Sequence, residues 1–318
     1  MKRIGLTVLL LLLTLTSCRL PRDLRGTLAP EKRSTPTKRS TPAPPTPVPP
    51  PTTEPATPVL NVRYSDEETK VPNLLSLDIY PTGEKNQPVM IFVHGGGWTN
   101  GDKFPADAKP AAFNARGWVF VSVNYRLLPE VDVIQQVKDV ARSIAWAKQN
   151  IAQYGGDPAR LFLMGHSAGA HLVSLIGVDE TYLRGAGLSF GDIRGIVSLD
   201  TQTYNMAKLM SNLEPGRGGV YYNAFGDDPK HWRRMSPQTY VEAGKDIPPF
   251  AIIYTKSEGL GGRFSKQFYA SLQKADVHSV LIPALEETRW EANENFGLLN
   301  DRVSDIVFRW LGELLKEP

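Results

Sequence analysis

The chain is 318 residues long with 41% hydrophobic side chains, enough to bury one large core, and its length alone admits two domains. Its only cysteine, Cys18, excludes an intrachain disulfide framework and a cysteine-based zinc site, and no metal or other cofactor is expected. The net charge of +3 is uneven: nine basic residues against three acidic ones precede residue 60, so the remainder carries −3, a mildly acidic body that argues against a nucleic-acid partner.

Lys2 and Arg3 precede an apolar run from Leu6 to Leu15, followed by Thr16-Ser17-Cys18. This is the layout of a signal peptide over residues 1–17, too short to read as a membrane span. Leu15-Thr16-Ser17-Cys18 resembles a bacterial lipobox, which implies cleavage before Cys18 and lipidation of that residue. An ordinary secretory signal and an uncleaved anchor are the alternatives. Residues 18–58 are read as a disordered Pro- and Thr-rich linker, because they hold too little apolar surface to fold. At about 3.1 Å per residue in polyproline II, some thirty residues reach roughly 90 Å. The basic tail suits a place beside anionic lipid headgroups. The expectation is an exported, membrane-anchored lipoprotein, held on the outer face of the cytoplasmic membrane, in the periplasm or at the cell surface.

The folded domain is expected over residues 59–318. Val59 to Tyr64 and Leu74 to Tyr80 read as strands, the second alternating Leu75, Leu77 and Ile79 with Ser76, Asp78 and Tyr80, and they form an antiparallel edge. Val89 to Val93 is a buried strand that runs into His94-Gly95-Gly96-Gly97-Trp98, whose glycines allow backbone N–H groups to approach a developing oxyanion closely. Ala106 to Ala115 reads as a helix closed by Gly117, and Trp118 to Val123 as a strand. Asp132 to Gln149 is a helix on the apolar positions Val133, Val137, Val140, Ile144 and Ala147, stopped by Gly155-Gly156. Arg160 to Met164 is a short apolar strand entering Gly165-His166-Ser167-Ala168-Gly169, and the residues from Ala170 continue as a helix. A serine on so tight a strand-to-helix turn is a nucleophile elbow. Its Oγ stands at the strand's carboxyl end, beside the next amide and the helix N-terminus. A plain structural turn would use the same residues.

Ile193 to Leu199 is the next strand. Residues 201–247 read as irregular, with Met206, Leu209, Met210, Tyr221, Tyr222, Phe225 and Trp232 forming a lid or cap that lines an acyl pocket; a surface excursion over a hydrophobic edge is the alternative. Phe250 to Thr255 is a strand, Ser265 to Lys274 a helix, His278 to Pro283 the last strand and Val303 to Leu315 a closing helix. Alternation on this scale predicts one α/β domain, with a mostly parallel sheet covered by helices on both faces.

The glycine loop and the elbow, in this chain order, resemble the α/β-hydrolases of the hormone-sensitive-lipase and carboxylesterase type, especially the branch that includes kynurenine formamidase-like enzymes. Gly101-Asp102-Lys103, Val123-Asn124-Tyr125-Arg126, Tyr154-Gly155-Gly156-Asp157-Pro158, Ser236-Pro237 and Pro248-Pro249-Phe250 resemble recurrent landmarks of that family, and the likeness runs from about residue 59 onward. It implies an α/β-hydrolase fold with a small cap and a serine hydrolase acting on short-chain or acetyl esters without a cofactor. The expected partner is a small-molecule ester or an acylated glycan. Ser167 would be the nucleophile, with Gly96, Gly97 and Ala168 supplying oxyanion donors.

A serine nucleophile needs a base, and the base needs an acid to orient it. The family places the acid just after the strand that is Phe250 to Thr255 here, where Glu258 stands; Asp200, at the end of the strand Ile193 to Leu199, is the alternative acid. The family places its histidine four residues before the equivalent of Asn293, and Arg289 is found there. A guanidinium stays protonated and cannot take a proton from a serine. Of the five histidines, His94, His166, His171 and His278 are poorly aimed, and His231, in the cap, is the alternative base. The resemblance therefore implies a serine esterase of weakened activity. The other reading is a catalytically degenerate member serving as a cell-surface ligand-binding module.

Overall fold

The computed structural model describes residues 56–213, 218–256 and 261–317. The signal segment, Cys18 and the linker up to residue 55 lie outside the described residues, as does Glu258. No described helix is long and apolar enough to cross a membrane.

The strands are β1 (Val59–Arg63), β2 (Ser76–Tyr80), β3 (Gln87–Val93), β4 (Val119–Val123), β5 (Gly156–His166), β6 (Ile193–Leu199), β7 (Phe250–Thr255) and β8 (Ser279–Ala284). They form one sheet in the order β1-β2-β4-β3-β5-β6-β7-β8. The pairs β1–β2 and β2–β4 are antiparallel and the rest parallel, as the antiparallel edge read from the sequence requires.

The side-chain alternation of the central strands divides the core in two, because successive residues of a strand point to opposite faces. Val89, Ile91 and Val93 of β3 and Leu161 and Leu163 of β5 face one cluster, whereas Met90, Phe92, Phe162 and Met164 face the other. A sheet buried on both sides needs a helix layer on each. The second cluster is covered by α1 (Lys109–Asn114), which supplies Phe113. The first is covered by α2 (Val133–Asn150), with Val133, Val137, Val140, Ile144 and Ala147 buried, and by α3 (Ala168–Val178). Asp132 starts α2 as an N-cap, its carboxylate accepting from the Gln135 amide at 2.8 Å. α4 (Thr181–Gly185) follows α3.

Residues 201–247 are more regular than the glycine-rich sequence suggests: α5 (Met206–Asn212), α6 (Gly219–Phe225) and α7 (Pro229–Arg234) lie there between short 3-10 turns. Met206, Leu209, Met210 and Phe225 are buried in the first core cluster and do not line the cavity at Ser167. The apolar content of this stretch thus mostly seats it on the domain. α8 (Gly261–Lys274) packs Phe264, Phe268 and Leu272 into the same cluster. α9 (Arg289–Glu294) and α10 (Arg302–Leu314) complete the second layer through Ala292, Val307, Trp310 and Leu311. Two expected helix starts shift, the first inward and the second outward by one residue. α1 starts at Lys109 instead of Ala106, with Pro110 in its first turn, where a missing N–H costs nothing. α10 starts at Arg302 because the Asp301 carboxylate accepts from the amides of Val303 and Ser304.

Candidate active site

Ser167 sits between β5 and α3 with φ 52° and ψ −110°, a backbone conformation that a non-glycine residue holds only when its surroundings enforce it. Here the enforcement is close packing. A Cβ on Gly165 would lie 2.4 Å from the Gly169 carbonyl carbon, and one on Gly169 would lie 2.1 Å from the Val93 carbonyl oxygen. Two glycines therefore let α3 start directly against β3 and β5. The Ser167 amide donates to the Leu199 carbonyl at 3.0 Å, tying the turn to β6.

The glycine loop after β3 lies against this turn: a Cβ on Gly95 would stand 3.2 Å from Ser167 Cβ. Gly96, with φ 115°, directs its carbonyl to accept from the Thr99 and Asn100 amides. Gly96, Gly97, Ser167, Thr201, Tyr221 and Arg289 line one cavity of about 390 Å³. Trp98, Val220 and Trp290 are its apolar walls, so α6 contributes Val220 and Tyr221 of the cap. Ala168 is the buried first residue of α3, next to Ser167.

Arg289 opens α9, whose start is held by Thr288: its hydroxyl accepts from the Glu291 amide while the Glu291 carboxylate accepts from the Thr288 amide. From there the guanidinium reaches Asp200, Nε donating to Oδ2 at 2.8 Å. Asp200 is fully buried, with φ 48° at the end of β6, and its Oδ1 accepts from the Thr255 amide at 3.0 Å. Burial works against the charge on Arg289. Asp200 outweighs it, with the Tyr221 hydroxyl assisting, and holds the guanidinium above its ordinary range. The alternative acid read from the sequence thus orients a guanidinium in the place where the resemblance implies an imidazole.

No histidine lines the cavity among the described residues. His94 donates from Nδ1 to the Gly95 carbonyl at 2.7 Å and stacks on Tyr125. His166 is buried at the end of β5, with Nε2 3.1 Å from the Arg289 carbonyl oxygen. His171 is buried, its Nε2 2.7 Å from the Met235 carbonyl oxygen. His278 lies against Trp310. The alternative base, His231, does not fold into the site. It belongs to the short helix α7, started by Asp228; its ring stands 6.3 Å from Phe225 and its Nδ1 3.5 Å from the Arg234 guanidinium, while Phe225 in turn packs on Trp98. That aromatic layer separates His231 from Ser167.

The sequence reading passed over the contacts that hold Arg289. The buried Lys109 ammonium donates to the Asn293 carbonyl at 2.7 Å, pinning α9 to α1, and His166 grips the first carbonyl of α9. A buried lysine in an apolar helix was the only signal available.

Burial, with the Lys109 charge added, pushes His166 down to about 4, and burial pushes His171 down to about 4. Both rings are neutral in the folded chain, whereas free imidazoles titrate near about 6.5. As pH falls below that value the unfolded chain takes up protons first. Stability should therefore be full above about pH 6.5 and fall towards about pH 4, at up to roughly 1.4 kcal/mol per pH unit for each ring. Urea melts across that range test this, with His171→Gln expected to lower the slope by one proton; an unchanged slope would mean that His171 titrates normally.

The sheet order, the serine elbow and the glycine loop define an α/β-hydrolase. The BD-FAE family profile matches residues 77–260, more than half of the chain, and the chain belongs to this α/β-hydrolase esterase family. The matched stretch holds Ser167, the glycine loop and Asp200 but not Arg289. The chain is similar to "Esterase LipQ" of Mycobacterium tuberculosis, 28% identical over 81% of this chain and 65% of that protein. It is also similar to "Esterase LipC" of the same organism, 31% identical over 61% of this chain and 49% of the relative, so the chain spans about half to two thirds of the length of these relatives. Among solved structures, a truncated carbohydrate esterase from gut microbiota superposes with a TM-score of 0.68 at 18% identity, covering 83% of this chain and 98% of that one, which shows the shared fold.

Proposed function

We propose that this chain binds short-chain or acetyl carboxylic esters at Ser167, as small molecules or as acylated glycans, and hydrolyses them far more slowly than an ordinary serine esterase. The observation that carries the reading is the Arg289–Asp200 ion pair at 2.8 Å beside the serine. A permanently protonated guanidinium there leaves Ser167 without a proton acceptor, and removal of a triad base costs roughly a millionfold in kcat, about 8 kcal/mol of barrier. Oxyanion donors and substrate positioning retain part of the rate. A nitrophenyl ester series from acetate to octanoate, run beside Ser167→Ala, tests this. Wild type and variant should hydrolyse at the same slow rate, and arylformamides should be no better substrates. Rapid stoichiometric labelling of Ser167 by a fluorophosphonate, with kcat in the ordinary range of about 1 to 10³ s⁻¹, would refute it.

The same ion pair favours a second reading, a cell-surface ligand-binding module. The cavity of about 390 Å³ keeps its donors and apolar walls without the proton chemistry. Under either reading the domain is exported and tethered by acylation of Cys18, which the lipobox-like Leu15-Thr16-Ser17-Cys18 supports. Mass spectrometry of the mature N-terminus should return a diacyl or triacyl Cys18; an unmodified Cys18, or cleavage elsewhere, excludes the anchor.

A further inference from the structure

We infer that the Ser167 cavity is a receptor site for a short aliphatic carboxylate, the acid half of an ester, with Arg289 as its anion anchor. This rests on the reading of the cavity as an acyl-ester site, and it adds the charge of the preferred ligand.

Arg289 lines the cavity, and 27% of its side chain is exposed. Arginine has five N–H donors. Asp200 is met by Nε alone, and the Tyr221 hydroxyl engages the guanidinium from the cap; among the described residues no second carboxylate pairs with it. The two terminal amino groups are thus left with more donors than acceptors, in a fork suited to a carboxylate. The loop residues Gly96 and Gly97 and the N-terminus of the eleven-residue α3 face the same space from the Ser167 side. Both are places where backbone N–H groups favour negative charge. One carboxylate oxygen placed toward those amides leaves the other toward Arg289, while the alkyl chain lies against Trp98, Val220 and Trp290.

An imidazole at position 289 would act oppositely. Once neutral it has no charge to offer, and the Asp200 carboxylate behind it would repel an acid product. Arg289 cancels Asp200 and adds hydrogen-bond donors, so the acid is retained where an active esterase would release it. Asp200 competes with the ligand for the same guanidinium, which sets the direction of the second variant below.

The test is calorimetric titration of the full chain with sodium butyrate, butyramide and n-butanol at fixed ionic strength. Wild type should bind butyrate at least about tenfold more tightly than butyramide. Arg289→Gln should erase that preference, and Asp200→Asn, which keeps an acceptor for the Thr255 amide, should strengthen butyrate binding. Equal affinity for butyrate and butyramide would overturn the anion anchor and leave the acyl pocket standing. Binding of none of the three probes would remove the acyl-site reading as well. The wild-type comparison decides the matter even if Arg289→Gln does not fold.

Discussion

Arg289→His is expected to raise Ser167-dependent hydrolysis of nitrophenyl acetate by about two orders of magnitude or more. A positioned general base typically contributes 10²- to 10⁴-fold, and the glycine loop and the Asp200–Arg289 pair already stand at the Ser167 cavity. Asp200 is already fixed by the Thr255 amide, with its second oxygen 2.8 Å from the Arg289 Nε. An imidazole at position 289 would start from the backbone that now holds the guanidinium against Asp200, on the wall of the cavity that Ser167 also lines. The sign of the pH effect follows from the chemistry. The ring must be neutral to accept a proton, so activity should rise with pH through the pKa of the new imidazole. The gain must vanish in Arg289→His/Ser167→Ala. A rate no higher than wild type, or a gain that survives loss of the serine, would show that position 289 is not the missing base.

Arg289→Ala is expected to cost about 3 kcal/mol of stability, seen as a fall in melting temperature of the order of 10 °C for a domain of this size. Asp200 is fully buried and Arg289 only partly so, which puts the loss at the lower end of the usual 3–5 kcal/mol for breaking a buried pair. Most of that cost is a carboxylate left without its counter-charge, so removing the carboxylate as well should recover it. The double variant Asp200→Asn/Arg289→Ala should melt well above Arg289→Ala alone. Equal melting of the two would assign the loss to packing of α9 against Lys109 and His166, contacts that Arg289 makes through its backbone and neighbours.

Much of this protein was legible in its sequence because the signals were local. The runs Val89 to Val93 and Ile193 to Leu199 are too short and too apolar for anything but buried strands. The spacing of Val133, Val137, Val140, Ile144 and Ala147 is helical, and the glycines around Ser167 state how closely the chain must approach itself. The substitution at position 289 was equally legible, since an arginine cannot become a proton acceptor in any fold. The irregular look of residues 201–247 was misleading because glycines mask three short helices, two of which are seated by burying Met206, Leu209, Met210 and Phe225.

Partnership, by contrast, was decided only by tertiary structure. Asp200 and Arg289 are 89 residues apart, and the resemblance offered Asp200 only as an alternative to Glu258; sheet order brings the end of β6 to the start of α9. His231 failed as a base for the same kind of reason: α7 turns its ring onto Phe225 and Arg234, a direction set by packing. The sequence by itself determined the fold class and the chemistry that position 289 forbids, because periodicity and side-chain pKa belong to short stretches and single residues. Which carboxylate faces Arg289, which histidines are turned away and what lines the cavity depend on contacts between distant segments, and those exist only once the chain has folded.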